Sequence, residues 1–212
     1  MDSSLKLAVI LMASLCGATA SASACQHNGN ASLDDNFRNP DAGWGQPDNI
    51  AAFTQNGLAL TPPVNGSAWR TDANFTLASA DLCIEVMSPS ALPDPADEDT
   101  VGAAGVWFWG KDTQNFYTAA ISLDGKASVM RLVDGKWLTI VAPAPASSVK
   151  TAPGAVNEIE IVTAGNTAQF FVNGTQITEI HGQAPADGGA PGIYAESGPK
   201  GTTWLFQRVR LF

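Results

Sequence analysis

Charge is scarce in this chain, and positive charge scarcer still. Of 212 residues, Lys and Arg number 11 and Asp and Glu 20, so charged residues make up only 15% and the formal net charge is −9. A typical globular chain carries about a quarter charged residues. This acidic balance excludes a non-specific nucleic-acid binder, or a protein held by charge on an anionic membrane, because phosphates repel it. A helical apolar period is missing as well: no long stretch repeats its hydrophobic residues at 3.6-residue spacing. One run of apolar residues, 5–15, falls short of the about 20 that a membrane span needs. The usual catalytic signatures are absent, with no G-x-S-x-G elbow, no G-x-x-x-x-G-K-[ST] loop and no H-E-x-x-H helix. The two histidines, His27 and His181, stand far apart, and nothing sets either beside a nucleophile or a zinc-type cluster. Hydrophobic residues nevertheless reach 45%, too many for a disordered chain, and the length suits one domain with a real core.

The first 24 residues read as an export signal. Lys6 and the amino terminus give a weakly positive start, the 5–15 run supplies the apolar region, and three overlapping A-x-A sites end at Ala20, Ala22 and Ala24. An N-terminal anchor helix and a lipoprotein linked through Cys25 are the competing readings. Cleavage after Ala24 leaves a single domain at 25–212, secreted or periplasmic. It also removes Cys16 from the total of three cysteines. The remaining Cys25 and Cys83 are expected to pair in an oxidising compartment, closing a loop of about sixty residues worth about 4 kcal/mol. The alternative is a free, buried Cys83 with a frayed Cys25.

The rest reads as strands. Short runs with a period of two recur at 49–54, 57–61, 67–74, 80–87, 104–110, 115–122, 127–133, 137–142, 157–163, 167–172, 175–181, 192–196 and 203–212. Asp124-Gly125, Asp134-Gly135, Gly165-Asn166 and Asn173-Gly174 sit between them, where two-residue hairpins need positive φ. About a dozen short antiparallel strands make an all-β domain, a two-sheet sandwich or a closed barrel; the N-terminal disulfide and the strand edges favour the antiparallel sandwich. Residues 88–101 and 142–155, rich in proline, read as surface loops.

Several segments together resemble a known family. Asp34-Asp35-Asn36-Phe37 followed by Asn39-Pro40-Asp41-Ala42-Gly43-Trp44 is similar to the opening of concanavalin A-like jelly-roll domains. Ala104-Gly105-Val106-Trp107-Phe108, Asn115-Phe116-Tyr117 and Arg131 with Asp134-Gly135-Lys136-Trp137 resemble their central meander. Asn157-Glu158-Ile159, Phe171-Val172-Asn173-Gly174, Gly192-Ile193-Tyr194-Ala195 and the closing Phe206, Val209 and Leu211 resemble their later strands. The likeness runs from Asp34 to Phe212 and lies nearest the LamG-like domains that include the 3-keto-disaccharide hydrolase family. It implies a two-sheet sandwich and a carbohydrate-related role. The motifs are turns and core aromatics, so they specify fold better than activity.

Chemistry is harder to place. Glycosidases need two carboxylates facing one bond. Glu158-Ile159-Glu160 lacks the third acid of the related E-x-D-x-x-E pattern, and its two carboxylates read as a solvated strand face. Trp107 and Trp109 alternate with Val106 and Phe108, which puts both Trp rings on one sheet face, where they would stack on sugar rings. The opposite registry buries both. Asn115, Arg131 and Glu196 are the polar partners expected beside them, Glu196 being also the one weak candidate for a catalytic base. Trp44, Trp69, Trp137 and Trp204 are assigned to the core or to the underside of loops. The acidic loop offers Asp94, Asp97 and Asp99 as weak calcium ligands, a solvated loop being the competing reading; no other cofactor is implied. The expected function is a non-catalytic module for a carbohydrate or glycoconjugate. The alternatives are an enzyme of the 3-keto-glycoside hydrolase type and a cell-envelope protein-interaction module.

Overall fold

The computed structural model describes Cys25, His27 and residues 29–90 and 102–212. The expected export signal at 1–24 and the calcium candidates Asp94, Asp97 and Asp99 lie outside the described residues.

Among the described residues fourteen strands form in chain order: β1 (Leu33–Asp35), β2 (Ala51–Thr54), β3 (Gly57–Leu60), β4 (Ser67–Thr71), β5 (Ala80–Met87), β6 (Ala103–Asp112), β7 (Asn115–Ser122), β8 (Lys126–Val133), β9 (Lys136–Pro145), β10 (Val156–Ala164), β11 (Thr167–Val172), β12 (Thr175–His181), β13 (Ala190–Glu196) and β14 (Trp204–Leu211). One short 3-10 turn, Ala42–Trp44, precedes β2. The strands form two antiparallel sheets. One runs β12-β11-β10-β5-β14-β3-β2, with β1 added on β14, and the other runs β4-β13-β6-β7-β8-β9. Among the described residues no helix is long and apolar enough to cross a membrane.

Alternation builds the core. Ile84 and Val86 on β5, Ile159 and Ile161 on β10, Val106 on β6, Ala119 and Ile121 on β7, and Ile193 on β13 all bury toward one another between the sheets. Trp44 and Trp204 join them, each 1% exposed, as expected. Two hairpins close as their turn residues demand. Asp134-Gly135 and Asn173-Gly174 take positive φ at both central positions, the geometry that matches strand twist. Asp124-Gly125 does not: only the glycine is left-handed, and the turn has three residues between Ser122 and Lys126. The expected loop at 142–155 begins later, because β9 extends to Pro145 and pairs Ala144 with Ala127. Prolines are tolerated there since β9 is an edge strand, with one side free of ladder bonds.

The opening motif is a knot of capped turns. Asp35 accepts from the backbone N–H groups of Phe37 and Asp41, both at 2.6 Å, and from Trp44 Nε1 at 3.1 Å. Phe37 is thereby held at φ 61°. Beside it lies Asp72, 0% exposed, with Oδ1 bonded to the Asn74 N–H and Oδ2 buried without a partner among the described residues. Burial, more than the nearby Asp41 and Asp35 charges, raises the Asp72 carboxyl above its usual range. A carboxyl raised on folding stabilises below its unfolded value and loses that contribution as pH rises through the folded value. Asp72→Asn keeps the acceptor and removes the charge. It is expected to melt a few degrees higher than the parent protein at pH 7, with the gap closing in mildly acidic buffer. Paired melting curves across pH check this, and an equal gap at every pH would contradict it.

Candidate functional site

The six-stranded sheet carries a second apolar layer on the face turned away from the core. Trp107, Phe116, Leu132 and Tyr194 bury there together, with Trp69 packed against them. Cross-strand pairing assembles the layer: Trp69 on β4 lies opposite Tyr194 on β13, and Phe116 on β7 opposite Leu132 on β8, which in turn faces Trp137 on β9. The rings interlock. Trp107 stacks on Phe116 at 3.6 Å and on Trp69 at 5.4 Å, while Trp137 meets Phe116 and Tyr194 edge-on at 5.5 and 6.0 Å. Trp137 is 41% exposed, so the layer reaches solvent at that ring.

Glu196 sits two residues beyond Tyr194 on the same face and accepts the Tyr194 hydroxyl at 2.6 Å. Its own carbonyl is held by Trp204 Nε1 at 3.3 Å, which ties the site strand to the core. Burial, and then the Glu196 carboxylate, pushes the Tyr194 hydroxyl well above the usual tyrosine range, so it remains a donor.

The expected pairing of Trp107 with Trp109 on one face does not occur. Trp107 lies in the outer layer, whereas Trp109 lies in the core between the sheets, beside Phe108 and Tyr117. The cause is a bulge. Phe108 pairs with Tyr117 and Asp112 with Asn115, so four steps along β6 match two along β7. Trp109 takes φ 46°, a left-handed conformation uncommon for a bulky residue, and the extra length turns its ring inward. Gly110 follows because a Cβ there would sit 2.1 Å from Trp107 Nε1. Neither Trp indole is exposed, at 3% and 6%, and each buried Nε1 lacks a partner among the described residues.

The polar candidates also separate. Glu196 stands on the outer layer. Arg131 stands on the core-side face, over the Tyr117 ring at 4.9 Å and bonded to Gln183 Oε1 at 2.6 Å. Asn115 is engaged at both ends, donating to Asp112 and accepting the Asp134 N–H at 3.2 Å. Trp109, Asn115 and Arg131 do meet, in a cleft of about 310 Å3 at the end of the sandwich that Lys111, Phe116 and Gln183 also line. Phe116 therefore borders both the cleft and the outer layer. Trp69 and Trp137, assigned from sequence to the core or the underside of loops, belong to the outer layer instead. Each lies in a strand with a period of two, but only the strand order puts them on one face with Phe116 and Tyr194.

Glu158 and Glu160 do not form a solvated strand face. Glu160 is 4% exposed and bonds His27 Nε2 at 2.9 Å. Burial pushes its carboxyl up to about 7, against the pull of the His27 hydrogen bond.

Two antiparallel sheets in this order, with a core between them and an aromatic layer on one outer face, define a concanavalin A-like jelly-roll sandwich. Solved structures of that class superpose on it. The carbohydrate-binding module CBM66 from Bacillus subtilis matches with TM-score 0.62 and 15% identity, covering 79% of this chain and 93% of its own. A beta-glucanase from Bacillus licheniformis matches with TM-score 0.60 and 12% identity over 87% of this chain and 99% of its own. The carbohydrate recognition domain of Emp46p matches with TM-score 0.56 and 10% identity over 76% of this chain and 84% of its own. At these identities the likeness is one of fold. No family model matches the chain, and no curated protein matches it.

Proposed function

We propose that this chain is an exported, non-catalytic module that binds a carbohydrate or glycoconjugate on the outer face of its six-stranded sheet. One observation carries the reading: a stacked aromatic layer that reaches solvent at Trp137 and is joined through Tyr194 to an ordered carboxylate, Glu196. Flat rings held rigid by their neighbours present a hydrophobic surface to the C–H faces of a sugar with little entropy left to lose. Glu196 would accept from ligand hydroxyls. The cleft of Asn115 and Arg131, joined to the layer through Phe116, would supply further polar contacts. Trp107 acts beneath as support, and Trp69 and Trp137 as the stacking rings. Alternation places one acid, Glu196, on this face of the described strands, whereas a glycosidase of the two-carboxylate kind needs a pair. Two fold neighbours, a carbohydrate-binding module and a carbohydrate recognition domain, support the ligand class. The Cys25–Cys83 disulfide supports an oxidising compartment.

The test is a glycan array on the purified protein, followed by titration calorimetry with the best ligand and a hydrolysis screen that includes 3-keto-glycosides. Trp137→Ala is expected to weaken binding at least tenfold, about 1.4 kcal/mol, with turnover absent throughout. Glu196→Gln is expected to weaken it less and to leave the fold intact. Hydrolysis that disappears in Glu196→Gln would establish the enzyme instead. Neither binding nor turnover would leave the protein-interaction module.

A further inference from the structure

On the other sheet, away from the aromatic layer, three potential metal ligands converge. Asp81 is the second residue of β5, Glu160 lies on the neighbouring β10 opposite Cys83, and His27 precedes β1. His27 is brought there by covalent chemistry, since Cys25, two residues earlier, is bridged to Cys83 with a Cα separation of 5.8 Å. The Phe212 ring packs against the imidazole at 4.3 Å and fixes its plane. His27 Nε2 then lies 2.9 Å from Glu160 Oε1 and 3.2 Å from Asp81 Oδ2, and the ligand atoms of all three residues fall within 4.8 Å of one another.

A single imidazole N–H cannot point squarely at both carboxylates. Two acids on adjacent strands therefore compete for one imidazole while also contacting each other, and the Asp81 carboxyl has one oxygen, Oδ1, buried with no partner among the described residues. The Glu160 side chain is only 6% exposed. Such a pair, Glu160 buried and Asp81 half-buried, suits a cation with more than one bonding direction. We propose that His27, Asp81 and Glu160 form a binding site for a divalent transition-metal ion, with zinc as the best match. A nitrogen ligand disfavours calcium and magnesium, which take oxygen donors, and suits zinc. Zinc–nitrogen and zinc–oxygen bonds of about 2.0–2.2 Å in a tetrahedron place ligand atoms about 3.3–3.5 Å apart, so the two His27 contacts, at 2.9 and 3.2 Å, need to open by only a few tenths of an ångström. With three protein ligands, the fourth position takes water, and a groove of about 530 Å3 lined by His27, Asp34, Arg208 and Phe212 opens beside the imidazole to admit it. The metal would act as a second staple, fastening the N-terminal segment across β5 and β10 near the disulfide.

The experiment is titration calorimetry of the EDTA-treated protein with zinc chloride and, separately, calcium chloride, alongside melting curves and cobalt(II) absorption. One zinc per chain at micromolar or tighter affinity is expected, with a melting temperature raised by several degrees and the visible bands of tetrahedral cobalt on substitution. His27→Ala and Glu160→Gln should each reduce the affinity at least tenfold, and circular dichroism verifies that both variants fold. His27→Ala keeps both cysteines, so it keeps the disulfide. Calcium should bind more weakly than zinc. Absence of uptake, uptake unchanged in His27→Ala, or calcium bound as tightly as zinc would each overturn the proposal. The outcome is independent of glycan binding, which uses the opposite sheet.

Discussion

Breaking the Cys25–Cys83 bridge is expected to lower the melting temperature by roughly 10 °C. Both sulfurs are buried, at 0% and 1% exposed, and the bridge spans 58 positions of chain. Closing a loop of that length in the unfolded ensemble removes entropy worth about 4 kcal/mol on the chain-entropy account. For a domain of this size each kcal/mol moves the melting temperature by roughly 2–4 °C. The location makes the effect global rather than local. Cys83 lies on β5, which pairs with both β10 and β14 at the centre of the larger sheet. The bridge also positions the Cys25 carbonyl, which accepts from Arg210 Nη1 at 2.8 Å, while Arg210 pairs with Glu85 at 3.0 Å. Opening it releases that bond and frees His27 from Glu160 and Asp81 together. The check is scanning calorimetry of the Cys25→Ser/Cys83→Ala double variant and of the parent protein under dithiothreitol, which should agree. A shift under about 2 °C in both would show that the N-terminal segment does not constrain the unfolded chain. Glycan affinity at 25 °C should not change, because the aromatic layer belongs to the other sheet.

Thirteen of the fourteen described strands are legible in the sequence to within a few residues, as period-two runs bounded by turn residues; the three-residue β1 is too short to show such a period. Asp134-Gly135 and Asn173-Gly174 could be placed, down to the sign of φ, from residue type alone. The site was legible only in pieces. Sequence alone points to Trp107, Trp109, Asn115, Arg131 and Glu196 as one ligand-binding group; the fold puts Trp107 and Glu196 on the outer face and Trp109, Asn115 and Arg131 along the cleft, because simple alternation fails at Trp109. A bulge leaves no mark in hydrophobic pattern. Its one local sign here is Gly110, whose missing Cβ makes room for the Trp107 ring. Trp69, Phe116, Trp137 and Tyr194 come from four different strands, and their meeting is a property of sheet order, β4-β13-β6-β7-β8-β9, that short-range periodicity does not encode. The burial of Glu160 failed to show for a similar reason. It depends on His27, 133 positions away, being drawn across the sheet by the disulfide.

Trp109→Ala is expected to cost about 3–5 kcal/mol of stability, the range for emptying a buried aromatic site, and a marginal host would no longer fold at 37 °C. The ring is 6% exposed and contacts Tyr117 edge-on at 5.3 Å, and Gly182 lies so close that a Cβ there would sit 2.5 Å from Trp109 Cζ3. Such a site has little freedom to collapse. The backbone adds a second, opposite signal. At φ 46° an alanine inherits the strain that tryptophan bears, whereas glycine adopts that conformation without penalty. Trp109→Gly should therefore be more stable than Trp109→Ala, by about 1 kcal/mol, although glycine inside a strand is ordinarily the worse of the two. Trp137→Ala supplies the contrast. Its ring is 41% exposed on the edge strand β9, so the variant should stay within about 1 kcal/mol of the parent in stability while losing glycan affinity. Denaturant titrations of the three variants decide the matter. Equal stability of the alanine and glycine forms at 109 would mean that the bulge relaxes once the indole is gone. A folded Trp109→Ala protein of parental stability would mean that the ring contributes to binding surface rather than to the core, and that the two tryptophans share a role after all.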